Sequence, residues 1–296
     1  MERFVGVLSR AGLARLVLVS AACTGCGVTR QITVSQMVPI LEHATEGARE
    51  RTDLQLISQA LPANLLLIDG LIRTSPKNAE LLTLASFLHF GYALGFVEAD
   101  SLELAGTYYA AGRDYGLRAL GHRRPFQKGS TGTLEEFTRG VASLQRSDVA
   151  ALAWTSANWG RWISLNLESP AAIAQQPRFE AMVSRLLQLD PDYEAGLPHV
   201  LRGMYDALRP KPLGGQPDSA QAHFQKAFAI DQGRNLLYQV LYAEFYCRQV
   251  MDTECFDTNL EAVAAAKADA DPAYRLMNEI ARRRAARLQA QRDDLF

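Results

Sequence analysis

The chain has 296 residues, 48% hydrophobic and 21% charged, the balance of an ordinary globular protein able to bury a sizeable core. Its formal net charge of −1 argues against a nucleic-acid surface, which needs a basic excess. Alternating apolar and polar runs are scarce and helical spacing of apolar residues dominates, so the expected fold class is all-α.

The N-terminus reads as a targeting segment. Arg3, Arg10 and Arg15 precede a short apolar core, Leu16–Ala22. That core is shorter than the roughly 20 apolar residues that span a bilayer, and it fits a bacterial export signal. Cys23 and Cys26 follow in SAACTGCG, a lipoprotein pattern in which the acylated cysteine becomes the new N-terminus. The expected division is a lipoprotein signal peptide over 1–25, a tether over 26–35 and a helical domain over 36–296. Cys26 is the expected lipidation site, with Cys23 as the alternative. A CxxC redox or zinc pair is the competing reading, disfavoured by the secretory segment before it. Several acyl chains would anchor the protein stably. No later segment is expected to cross a membrane.

A first helix is predicted from Gln36 to Arg51. Asp53 is placed to cap the next, which Pro62 is expected to kink or split. Lys77–Ala99 contains FLHFGYALGFVEA, where Gly91, Ala93 and Gly95 lie among aromatic residues. That mixture predicts a buried helix closely approached by a neighbour, which offsets a cost of about 1 kcal/mol per glycine. Glu103–Leu120 is a further aromatic helix, residues 121–134 read as a polar loop, and a short helix is expected around Glu135–Leu144.

Asp148–Pro170 holds all three tryptophans, Trp154, Trp159 and Trp162. A helix is predicted here, capped by Asp148 and stopped at Ser169-Pro170. At helical pitch Trp154, Asn158, Arg161 and Leu165 share one stripe. An aromatic wall with a few fixed polar groups suits a small ligand, and it equally suits a closed helical core. Arg161 has the planar fork that recognises a carboxylate. Paired with Glu98 or Glu244, it would be an ordinary core ion pair.

The next stretch repeats. Phe179, Met182, Val183, Leu186 and Leu187 form an amphipathic helix ending in Leu189-Asp190-Pro191. Ala220, Phe224, Ala227 and Phe228 then lead to Ile230-Asp231, so Asp190 and Asp231 mark a period of 41 residues. A tetratricopeptide repeat has about 34 residues, with Ala, Phe and Ala spaced like Ala220, Phe224 and Ala227. Its proline position is Gln232 here, and the loop Arg209–Pro217 accommodates the extra length. The expected architecture is therefore degenerate tetratricopeptide-like helix pairs in a single α-solenoid-like domain. Three helices follow, Asn235–Gln249, Thr253–Lys267 and Ala273–Arg292, with the Arg282–Arg284 run expected to face water. Cys247 and Cys255 flank a turn and are candidates for a disulfide.

No catalytic constellation stands out. The five histidines, His43, His89, His122, His199 and His223, are dispersed. HExxH, a phosphate-binding loop and GxSxG are absent, so no enzyme activity, metal site or cofactor is expected. The ligand-binding candidates are Trp154, Asn158, Arg161, Tyr92 and His89, taken from the tryptophan and glycine-rich helices.

The segments TGCGVTR, FLHFGYALGFVEAD, DYGLRAL, DVAALAWTSANWGRWISLN, GGQPDSAQAHFQKAF, NLLYQVLYAEFYCRQVMD and NEIARRRAARL run in one order over nearly all of the chain after the signal. In these the chain resembles the TatT component family of tripartite ATP-independent periplasmic (TRAP) transporters. The resemblance implies tetratricopeptide-like helix pairs in a periplasmic lipoprotein. It implies a TRAP substrate-binding protein as partner, a small, hydrophobic organic ligand, to which the chemistry of Arg161 adds a carboxylate as alternative, and a homo-oligomer, with a trimer expected. It favours Cys26 over Cys23, which stands where an aliphatic residue is usual. Gly27 after Cys26 points toward the outer membrane. An envelope scaffold that binds protein partners without a small ligand is the alternative function.

Overall fold

A computed structural model describes residues 34, 36–208, 211, 214–267 and 271–296. The signal, both candidate lipidation cysteines and nearly all of the tether lie outside the described residues. Among the described residues the regular structure is helical, with no strand. The helices are α1 (36–49), α2 (Leu54–Thr74), α3 (Ala79–Tyr92), α4 (Leu102–Leu120), α5 (Arg124–Gly129), α6 (Leu134–Ala142), α7 (Val149–Leu165) and α8 (Pro170–Ile173). They continue with α9 (Gln176–Leu189), α10 (Tyr193–Ala207), α11 (Pro217–Asp231), α12 (Leu237–Leu241), α13 (Thr253–Ala265), α14 (Arg275–Ala290) and α15 (Arg292–Leu295).

Several helix starts follow from side chains that satisfy free backbone N–H groups. The Asp53 carboxylate accepts from Leu56 N at 3.0 Å, Asn78 from Leu81 N, and Ser101 from Leu104 N. Thr133 and Glu136 form a reciprocal capping box at α6. Pro62, expected to kink or split the second helix, does not split it, since α2 runs through it. Asp148 does not cap α7; its carboxylate accepts instead from Gln145 N and Arg123 Nε. The polar loop expected over 121–134 contains α5, because Phe126 is fully buried against Phe137 and draws that segment onto the core.

α3 and α12 each continue into a π-helical turn, Ala93–Val97 and Tyr242–Cys247. In the first lie Ala93 and Gly95, in the second Glu244. Cys247 and Cys255 form a disulfide with Cα atoms 5.6 Å apart. α10 opens with three successive left-handed residues, Glu194 (φ 46°), Ala195 (φ 55°) and Gly196 (φ 94°). Only glycine adopts that conformation freely; for Glu194 and Ala195 it costs on the order of 1–3 kcal/mol each.

Neighbouring helices pack on one another: α3 on α4, α4 on α7, α9 on α10, α10 on α11, and α13 on α14. Ala220, Phe224 and Ala227, which carry the repeat pattern, are fully buried, and a Cβ on Gly203 would come within 2.7 Å of the Phe224 ring. Gln232, in the place of the repeat proline, ends α11 with φ 57°. Residues 209, 210, 212 and 213 of the loop between the pair lie outside the described residues. α14 packs against α2, α12 and α13, which brings the end of the chain back to its N-terminal helices. There the arginine run does not simply face water: Arg284 is buried and Arg283 donates to the Gly95 carbonyl.

Among the described residues, α2 and the helix over Ala79–Val97 are long and apolar enough to cross a membrane by length and composition. For Ala79–Val97 the reason is burial in the core, which takes up 67% of its apolar window. α2 is only 22% buried over its window and leaves Leu56, Leu66 and Leu67 exposed.

Candidate functional site

α7 packs against α3. The Trp154 ring lies 4.6 Å from Phe87 and 5.8 Å from Phe90, centroid to centroid, with Tyr193 at 6.5 Å on its other side. Trp154, Phe87 and Phe90 form part of the wall of a cavity of about 150 Å3, completed by residues of α1, α2, α10, α12 and α14. Leu197, Leu237 and Ile280 are among its apolar lining, and the polar lining comes from Thr45, Asn64, Tyr92, Asn235, Tyr238 and Tyr274. Gly91 also faces it, and a Cβ built there would meet nothing within 4 Å. The close approach expected at this glycine is therefore an opening. The close approaches fall elsewhere, at Gly95 against Ile280, and at Gly112 and Gly116 of α4 against Asn158 and Thr155 of α7.

Arg49 and Glu194 are the charged residues among the cavity's described lining. The Arg49 guanidinium donates to both Glu194 carboxylate oxygens, at 3.1 and 3.3 Å, and lies 4.9 Å from the centre of the Phe87 ring. Glu194 is fixed by its left-handed backbone and by its carbonyl, which accepts from the Tyr238 hydroxyl. Burial raises the pKa of Tyr238 well above the phenol range, and the Glu194 charge adds to this. Tyr193 is pushed up to about 12 by the same two causes. Both phenols therefore remain neutral donors around neutral pH. On the far side of this ion pair opens a wider cleft of about 490 Å3, lined by Glu42, Glu46, Glu80, Asp148 and His122 among others.

The family model for the TRAP transporter T-component matches residues 50–296. The chain belongs to that family. No curated protein matches the chain. The T-component match begins one residue after Arg49, so the α1 wall of the cavity lies outside the matched span.

The five residues singled out from sequence fall in different places in this T-component. Trp154 and Tyr92 line the cavity. Asn158, one turn further along α7, is fully buried behind the wall, and its amide donates to Ser86 O at 2.9 Å and Trp154 O at 2.8 Å. His89 also turns away. Its Nδ1–H donates to the Ala85 carbonyl at 2.8 Å, its ring sits against Tyr115, and burial lowers its pKa.

Arg161 belongs to a buried ionic cluster. It pairs with Glu98, which also accepts from Arg284 at 2.7 Å and from the Tyr109 hydroxyl at 2.5 Å. Arg284 in turn donates to both Glu244 oxygens at 2.8 Å. Burial works against the Glu98 charge, but Arg161 and Arg284 beside it bring its pKa down to about 2. Two arginines and two glutamates, brought from α7, α14, the end of the first π-helical turn and the interior of the second, thus neutralise one another in the core.

Sequence reasoning did not find Arg49, Glu194, Asn64 or Tyr274. Arg49 and Glu194 are 145 positions apart and carry no local pattern. The signal that was present is the Glu194-Ala195-Gly196 stretch after Asp190-Pro191, where a glycine shortly after a helix end marks an unusual turn.

Proposed function

We propose that this T-component is the lipid-anchored periplasmic accessory of its TRAP system, docking a substrate-binding protein and holding a small, largely apolar organic ligand. The observation that supports a ligand is the aromatic-walled cavity around Trp154, with a handful of polar groups at its edge. Trp154 and Tyr92 are the residues we assign to ligand contact. Asn158, Arg161 and His89 hold the helices that carry that wall. The signal over 1–25, the acylated Cys26 with Cys23 as alternative, the tether over 26–35, the tetratricopeptide-like domain over 36–296 and a homotrimer complete the proposal.

The test is copurification with the TRAP substrate-binding protein, combined with mass spectrometry of small molecules released from the purified T-component. Isolation of a complex together with a bound small molecule supports the reading. A complex formed by a protein with an empty cavity would favour the scaffold alternative, and the absence of both would refute the proposal. Separately, Cys26→Ser should release the protein from the membrane fraction; continued attachment would assign the anchor to Cys23.

A further inference from the structure

The Arg49–Glu194 pair stands between two spaces of opposite character. Thr45, Arg49, Phe87, Trp154 and Glu194 belong to the walls of both the inner cavity and the outer cleft. The inner space is largely apolar. The outer one carries Glu42, Glu46 and Glu80 alongside Asp148, whose carboxylate already has Arg123 and His122. The ion pair and the two aromatic rings form the partition.

The pair is built unevenly. Glu194 is held by three left-handed residues and by Tyr238, whereas Arg49 ends a long flexible stem in the last turn of α1. Among the described residues the Glu194 carboxylate accepts from Arg49 alone. The two side chains are 33% and 26% exposed, so water reaches them and parting them does not leave charges sealed in the core. The same arginine and glutamate could not part so readily with no solvent access.

A head group that enters this partition must separate the two charges. A monoanion would satisfy Arg49 and leave Glu194 facing the carboxylates of the outer cleft. A monocation would satisfy Glu194 and leave Arg49 with only the face of Phe87. A head carrying both an ammonium and a carboxylate replaces each partner with its equivalent. The acidic cleft attracts the ammonium first, and Tyr193 and Trp154 offer aromatic faces to it. The inner cavity, at about 150 Å3, has room for a body about the size of one aromatic ring.

We propose that Arg49 and Glu194 form the head-group site for a zwitterionic amphiphile, an α-amino acid or close relative with an apolar body in the cavity behind Phe87 and Trp154. This rests on the reading that the cavity holds a ligand. The test uses four probes that share a phenyl ring: L-phenylalanine, 3-phenylpropanoate, 2-phenylethylamine and toluene. Binding to the purified, extensively dialysed protein is measured by calorimetry.

Phenylalanine is expected to bind about tenfold or more tighter than either singly charged analogue, the scale of one additional charge-assisted hydrogen bond to the second partner. Arg49→Gln and Glu194→Gln should each bring phenylalanine down about tenfold, to the affinity of the singly charged analogues for the parent protein, with far-ultraviolet dichroism confirming that both variants fold. Gly91→Leu, which fills the open side of the cavity, should abolish binding of phenylalanine and toluene together. If toluene or one charged analogue binds as tightly as phenylalanine, the head-group assignment is overturned while the ligand-holding cavity stands. If Gly91→Leu leaves phenylalanine binding intact, the site lies elsewhere and the proposal is refuted. If none of the four probes binds, both the head-group site and the cavity reading fail.

Discussion

The arginine–glutamate cluster around Glu98 and the Arg49–Glu194 pair use the same chemistry, and burial gives them opposite properties. Around Glu98 the carboxylate and Arg161 are 3% and 4% exposed, and Glu98 has more than one partner. At the cavity mouth Arg49 and Glu194 are 33% and 26% exposed, and each has the other as its ion-pair partner. In the core a charge stripped of its partner has no water to replace it, so the contacts hold or fail together. At the mouth, water can replace either partner, so the pair can open at small cost. The first set fastens the C-terminal α14 to α7 and to both π-helical turns. The second set separates two spaces.

The strongest way to break the comparison is Arg284→Met. It leaves Glu98 and Glu244 buried with one arginine between them and should cost about 3–5 kcal/mol of unfolding free energy in urea titrations. A loss below about 1 kcal/mol would place the cluster in the same class as the mouth.

Acid provides a graded version of the same experiment. The folded-state pKa of Glu98, about 2, lies below its ordinary value of 4.5. Its ionisation therefore stabilises the fold above about pH 4.5, and that contribution is lost as the pH falls from there toward 2. In Glu98→Gln the stability should fall less steeply between pH 4.5 and 2, so that parent and variant converge at the acid end. Parallel curves would show that the carboxylate is not held by its two arginines.

Ala195→Gly sharpens the description of the mouth. It relieves a left-handed alanine and should raise stability by about 0.5–1 kcal/mol, net of the greater freedom of glycine in the unfolded chain. A thermal melt that falls instead would show that the turn is not strained. The smallest expected effect is that of Arg49→Gln, below about 1 kcal/mol by the same melt, because the pair is partly open to solvent. A loss as large as that of Arg284→Met would mean that the mouth is a lock and not a door.

Much of the fold can be read along the chain. The apolar spacing of Phe179 to Leu187, the caps Asp53 and Ser101, and the Ala220–Phe224–Ala227 pattern depend on neighbours within about one turn, and period and capping report such neighbours directly. The site was legible only in part. Trp154 and Tyr92 were accessible as aromatic residues beside small ones, and they do line the cavity. Asn158 and Arg161 share the Trp154 stripe in sequence, yet α4 and the residues of the two π-helical turns cover that side of α7 beyond Trp154. Gly112 leaves room for Asn158, and Glu98 comes over Arg161.

The order of its motifs carries the resemblance to a T-component, while composition and periodicity by themselves determined that the chain is helical and where many of its helices begin. These depend on backbone hydrogen bonds and side-chain spacing within about ten residues. Only the tertiary structure decided which arginine is locked and which is exposed to solvent, that Gly91 opens a space while Gly112 closes one, and that Arg49 meets Glu194. Each of those outcomes depends on groups far apart in the chain, and burial sets what their charges are worth.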